Sequence, residues 1–183
     1  MTKTKSTIRY FKVAMLFHWS MAILIILNIL GGLLKYYEIL DLPIIIELHT
    51  RTGIIILTLA ILRIFWRLTH KYPSLNNIIP NSEKILAYFS HLLLYVLMIA
   101  VPVSGMLFFQ SIGEKVYFLQ IELPQFIMRQ PIAEAKKILN IHQSLALIFL
   151  TLIVYHILAA LKHHFIDKNH VLSRMLPKWI YRK

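Results

Sequence analysis

The chain has no cysteine, which excludes disulfides, iron–sulfur clusters and thiolate zinc sites and leaves nitrogen and oxygen as the available metal ligands. Histidine, present nine times, is then the leading ligand. Turn formers are also scarce, with five glycines and seven prolines in 183 residues, and only eight residues are acidic against twenty Lys and Arg. What fills the chain instead is apolar: 58% of the residues are hydrophobic, too many for an ordinary soluble domain. A bilayer is the expected solvent.

Four apolar stretches approach or exceed the roughly 20 residues needed to cross a hydrocarbon core of about 30 Å. They run from Val13 to Leu34, Leu48 to Trp66, Ile85 to Phe109 and Ile138 to Leu161. The expected architecture is an all-α, integral membrane four-helix bundle, up-down-up-down, formed by a single domain over residues 1–183. Its helices are expected near 13–34, 44–67, 84–109 and 138–163. The first run follows a basic amino end, as a signal peptide would, but at about 22 residues it exceeds the usual apolar core of such a peptide. It reads as a retained helix.

Loop one is short, with Tyr36, Tyr37, Asp41 and Pro43, so helices one and two are expected to be antiparallel neighbours. Pro73, Ser74, Asn76, Asn77 and Pro80 break the chain between helices two and three. The segment from Gln110 to Asn140 contains Pro124 and Pro131 and an apolar stretch from Val116 to Met128 that suits the membrane surface. Pro102 and Gly105 fall inside helix three, a combination tolerated where neighbouring helices absorb a freed carbonyl.

A formal net charge of +12 invites a nucleic-acid reading, but its distribution points elsewhere. With the amino end inside, the inside segments carry Lys3, Lys5, Arg9, Lys12, Arg63, Arg67, Lys71, Lys84, Lys162, Lys168, Arg174, Lys178, Arg182 and Lys183. Only Glu83 and Asp167 oppose them. The outside segments balance Lys35, Arg51, Lys115, Arg129, Lys136 and Lys137 against Glu38, Asp41, Glu47, Glu114, Glu122 and Glu134. All the excess lies on one side. This is the positive-inside pattern, so topology accounts for the basicity, both termini are expected in the cytoplasm, and no nucleic acid is needed.

Ionisable groups inside spans are expensive and mark function. Five histidines fall within or at the ends of the apolar runs: His18, His49, His91, His142 and His156. His142 and His156 share helix four, and fourteen residues at 100° each return the second to within about 40° of the first, about 21 Å along the axis. They face one way at two depths, as two stacked haems require. Topology and rise then pair His18 with His156 near the inner surface and His49 with His142 near the outer. His91 lies at roughly the depth of His18. It could replace His18, or serve as a proton-carrying or quinone-contacting residue. The competing readings are hydrogen-bonded packing histidines and a histidine-based metal or proton pathway.

Arg51 follows His49 by two residues, as a propionate or anion contact would, while Arg63 and Arg67 stand at the inner end of helix two. Snorkelling to the headgroups is the alternative for both inner arginines. His163, seven residues after His156 and on a similar face, is a candidate to bind or protonate a quinone beside the inner pair, with His91 and Arg63. Lys162 and His164 suit a basic helix end that meets anionic headgroups.

In these blocks the chain resembles the bacterial cytochrome b561 family, within the wider group of hydrogenase and formate-dehydrogenase type cytochrome b subunits. The resemblance rests on FHWSMA around His18, ELHTRTGI around His49, ILRIFWRLTHKYP closing helix two and SHLLLYVLMIAVPVSG on helix three. NIHQSLA around His142 and VYHILAALKHHFIDKNHVLSRMLP from His156 onward complete it. It implies two haems b, each held by two histidines, with His18 and His156 as ligands of the inner haem and His49 and His142 of the outer. His91 is then not a ligand. For a free-standing member it implies an oxidoreductase of the bacterial inner membrane that takes electrons from superoxide outside and reduces ubiquinone. The alternative is an anchor subunit passing electrons between a dehydrogenase or hydrogenase partner and the quinone pool.

Overall fold

A computed structural model describes residues 9–40, 42–71, 73 and 79–176. Asp41, Ser74, Asn76 and Asn77 of the expected turns, and Lys3, Lys5, Lys178, Arg182 and Lys183 of the basic side, lie outside the described residues. Four helices dominate: α1 Lys12–Tyr36, α2 Pro43–Thr69, α3 Asn81–Ser111 and α4 Ile132–Phe165. Each is long and apolar enough to cross a membrane.

The helix boundaries follow local chemistry. Pro43 opens α2 at a position where its missing N–H costs nothing, and Pro80 and Pro131 stand immediately before α3 and α4. Gly113, with φ of 92°, supplies the left-handed residue just beyond α3. Helix α4 starts six residues earlier than the apolar run suggested. Run length marks hydrocarbon, whereas the helix continues through polar Ala133 to Lys137, where Lys137 pairs with Glu134 at 2.7 Å.

Large side chains point outward. Leu16, Phe65, Ile85 and Leu147 are all more than 60% exposed, a pattern that water would penalise and lipid accepts. Intramembrane hydroxyls close on their own helices: Ser20 donates to the Leu16 carbonyl, Thr58 to Ile54 and Thr151 to Leu147. No polar group there is left facing hydrocarbon by these residues.

The packing is uneven, and the unevenness positions the site. Helix α1 packs on α2, α2 on α3 and α3 on α4, while α4 makes no comparably close approach to α1 or α2 among the described residues. A buried cluster crosses the middle of the bundle: Met21 of α1, Ile56 and Ala60 of α2, Leu97 and Met98 of α3, and Phe149 of α4. Phe149 is seven residues from both His142 and His156, so one helical stripe presents histidine, phenylalanine and histidine at three successive depths.

Each end is closed by chain. At the end opposite the termini, the loop after α3 forms a two-stranded hairpin, β1 Tyr117–Phe118 and β2 Ile121–Glu122. Gln110 anchors this loop, donating to the Pro124 carbonyl at 2.8 Å and accepting from the Phe126 N–H at 2.9 Å. At the end bearing both termini, a 3-10 turn at Leu172–Arg174 leads the chain from α4 back to α1. There the Trp19 indole donates to the Met175 carbonyl at 2.8 Å, and the Tyr10 N–H to the Arg174 carbonyl at 3.3 Å. This second end is the basic end of the molecule.

Candidate functional site

Across the space between α4 and the α1–α2 pair, two histidine pairs face one another. His49 of α2 and His142 of α4 have ring centres 6.1 Å apart, with their planes turned by 84°. His18 of α1 and His156 of α4 are 6.2 Å apart, with their planes at 66°. Neither pair makes a hydrogen bond between its own members, and both separations are too long for stacking.

Two imidazoles on opposite sides of one metal, each bonded at about 2 Å with about 1.1 Å more from nitrogen to ring centre, set their centres roughly 6 Å apart. Both pairs fit that spacing. His91 lies closer to His156, at 5.3 Å between centres, nearly an ångström short of the spacing for opposite faces of one iron. Its Nδ1 is engaged by the Ala87 carbonyl of its own helix.

The pair at the neutral end is built by one device used twice. His49 Nδ1–H donates to the Asn28 carbonyl at 2.9 Å, and its ring lies on Gly32, where a Cβ would come within 3.0 Å of Cε1. His142 Nδ1–H donates to the Val101 carbonyl at 3.0 Å, and its ring lies on Gly105, where a Cβ would again come within 3.0 Å of Cε1. In each case a neighbouring helix offers a carbonyl and, four residues on, a glycine. The carbonyl fixes the proton on Nδ1 and leaves Nε2 with its lone pair, the tautomer that binds metal. The glycine lets the ring come close to the backbone.

The pair at the basic end is built differently. Arg63 brings a guanidinium nitrogen to 3.2 Å from His18 Nδ1. A guanidinium only donates, so Nδ1 accepts and the proton of the neutral ring lies on Nε2. Metal binding through Nε2 therefore requires Arg63 to release Nδ1. The destination is adjacent. Arg63 and Arg67 lie over the Tyr95 ring at 5.5 and 5.7 Å, and both line a cleft with Tyr10, Trp66 and Met175. The Trp66 indole N–H is buried there and donates to nothing. A cleft with donors, an orphaned N–H and no carboxylate among the described residues would suit acceptor oxygens, such as the propionates of a haem that His18 and His156 could hold. The spacing of both pairs, the glycine cradles at the neutral end and the orphaned donor at the basic end fit a haem at each level.

The other residues singled out from sequence fall in different places. Arg51 is exposed and pairs with Glu47 at 2.7 Å, four residues back on α2. His163 is buried at the end of α4, its Nδ1 bonded to Asp167 Oδ2 at 2.8 Å, and is 3.8 Å from Glu83 through Nε2. Lys162 bridges the same two carboxylates. Sequence reasoning did not single out Trp66, Tyr95, Gly32 or the Glu83–Asp167 convergence. Glycines repeating four residues after the orienting carbonyls were the available signal, whereas the convergence of Glu83 and Asp167 depends on tertiary packing.

Comparison with known proteins shows the family. The family profile described as prokaryotic cytochrome b561 matches residues 9–178. Cytochrome b561 homolog 2 of Escherichia coli (strain K12) is 32% identical over 97% of this chain and 96% of its own length. Cytochrome b561 homolog 1 of the same organism is 32% identical over 72% of this chain and 74% of its own. A probable superoxide oxidase CybB of Yersinia pestis is 29% identical over 88% of this chain and 92% of its own length.

Proposed function

Since the chain belongs to the prokaryotic cytochrome b561 family, whose members bind haem b and transfer electrons in membranes, we propose that it holds two haems b and moves electrons from superoxide to ubiquinone. His49 and His142 hold one haem, and His18 and His156 the other. The observation that carries this reading is the pair of ring separations, 6.1 and 6.2 Å, on a single face of α4. Bound haem supplies one-electron redox chemistry.

The residues of the chain do the rest. A haem held by two histidines at each level would have no open coordination site, so His18 with His156 and His49 with His142 would restrict oxygen species to electron exchange at its periphery. The carbonyls of Asn28 and Val101 hold the neutral-end rings in the ligating tautomer. Phe149, buried between the levels, keeps the interval dry. Arg63, Arg67 and Trp66 offer donors to carboxylates at the basic end. His163 is the candidate to donate to a quinone oxygen beside that end, with His91 and Arg63 as further candidates for the same site.

The balance is two superoxide anions, one quinone and two protons giving two dioxygen and one quinol. The likeness to a probable superoxide oxidase supports the choice of donor, and the basic termini support an orientation with the neutral end in the periplasm of a bacterial inner membrane. Arg51, ion-paired to Glu47, and Lys136 are the candidates among the cations of that face for steering an anion locally.

The test is spectroscopic and kinetic. Purified protein is expected to show a Soret band, to be reduced by superoxide, and to be reoxidised on adding ubiquinone. Reduction by dithionite but not by superoxide would remove the proposed donor and favour a partner subunit, which co-purification would then reveal.

A further inference from the structure

Among the fourteen Lys and Arg assigned to the basic side, the sequence places only two carboxylates, Glu83 and Asp167. Both converge on one imidazole. Asp167 Oδ2 accepts from His163 Nδ1 at 2.8 Å, and Glu83 Oε2 faces His163 Nε2 at 3.8 Å. Glu83 comes from the first turn of α3 and Asp167 from just beyond α4. Their meeting is tertiary.

The two oxygens of Glu83 stand in different surroundings. Oε1 is bonded to the Lys162 ammonium at 2.8 Å, at the exposed rim, whereas Oε2 is buried and makes no hydrogen bond. A buried carboxylate oxygen without a donor is costly and calls for an explanation. The 3.8 Å between Oε2 and Nε2 is too long for a hydrogen bond, yet an oxygen atom set to one side can bond both. His163 itself is only 9% exposed, so this carboxylate is its link to water on the Nε2 side.

We propose that Glu83 is the proton inlet of the quinone site and that Asp167 is the positioning residue that fixes the His163 ring. This rests on the reading of His163 as the group that donates to quinone. In its doubly protonated form His163 donates from Nε2 to the quinone oxygen nearest α4 and keeps its Nδ1 proton on Asp167. Glu83, protonated from basic-side water once Lys162 has left Oε1 for Asp167, returns a proton to Nε2 from Oε2. The two electrons per quinone come through the haems from the proposed donor, and water on the same side supplies the proton on the second oxygen.

The remaining groups around the ring fit these roles. The Lys162 ammonium, bonded to both carboxylates, holds the Asp167 carboxyl below the usual carboxylate range, so Asp167 stays an anion and orients the ring without carrying protons. Asn169 Nδ2 lies 3.3 Å from His163 Nδ1. A bound divalent cation is the competing use of three such ligands, but the Lys162 ammonium already occupies the position between Glu83 and Asp167.

The experiment uses the haem-loaded full chain, reduced in advance and mixed with ubiquinone-1 between pH 6 and 9, in water and in deuterium oxide. Haem reduction and absorption spectrum serve as controls of folding. Glu83→Gln is expected to slow quinone-dependent reoxidation by roughly a hundredfold, the lower end of general acid–base catalysis, with a steeper loss at high pH and unchanged haem reduction. Glu83→Asp is expected to keep the wild-type pH profile. Asp167→Asn is expected to slow reoxidation at all pH values without changing that profile. Wild-type rate and profile in Glu83→Gln would overturn the inlet while leaving the quinone reading intact. Absence of reoxidation in the wild type itself would overturn both.

Discussion

At the residue scale, the two histidine pairs share a spacing and differ in their partners. The neutral-end rings each donate to a carbonyl, which would enrich the imidazole and favour the oxidised state of a haem bound there, whereas Arg63 would bring a positive charge near one bound at the other pair. Electrons should therefore flow toward the basic end. In general a unit charge about 8 Å from a redox centre, at an effective permittivity near 20, is worth roughly 2 kcal/mol, or on the order of 90 mV for one electron. Arg63→Gln is accordingly expected to lower the midpoint potential of one haem by about that amount, as read by potentiometric titration, and to leave the other in place. Equal shifts of both haems would contradict this local account. Gly105→Ala is expected to weaken haem retention at the neutral end only, because the new methyl meets His142 Cε1 at 3.0 Å. A haem count per chain after detergent washing checks it. The depths of His18, His49, His142 and His156 were legible in the sequence, since helical rise alone orders them. The glycine cradles and the Glu83–His163–Asp167 convergence were not, because they depend on which helix faces which ring.

At the element scale, α4 is the helix on which both sites depend. It packs closely on α3 and turns its His142, Phe149 and His156 stripe toward α1 and α2. Phe149 is the one large side chain of that stripe that lies in the buried core. Phe149→Ala should leave a void between the levels and cost about 3 kcal/mol, the lower range for burying nothing in place of a phenylalanine ring. Thermal unfolding of the haem-loaded variant in detergent checks this, and an unchanged midpoint would show that the ring packs against cofactor or lipid that closes over the gap. The four spans were readable because apolar run length reports hydrocarbon thickness. The earlier start of α4 and the hairpin after α3 were not, because their polar and mixed sequences lie outside the hydrocarbon, where helix and loop carry similar compositions.

At the scale of the whole molecule, two asymmetries run along the same axis. The basic side carries the termini, the donor cleft of Arg63, Arg67 and Trp66, and the carboxylate-flanked His163, while the other end is charge-balanced and capped by the Gln110-anchored loop. A reporter fused to the carboxyl end is expected to be active as a cytoplasmic and inactive as a periplasmic fusion, in keeping with the positive-inside rule. The most direct measurement of the central claim is the haem content of the purified wild type and of His49→Ala and His18→Ala, with the electron paramagnetic resonance spectrum of each. Two haems b per chain in the wild type, with two low-spin signals of which each variant loses a different one, are the expected result. A single haem, or two that survive both substitutions, would contradict the assignment.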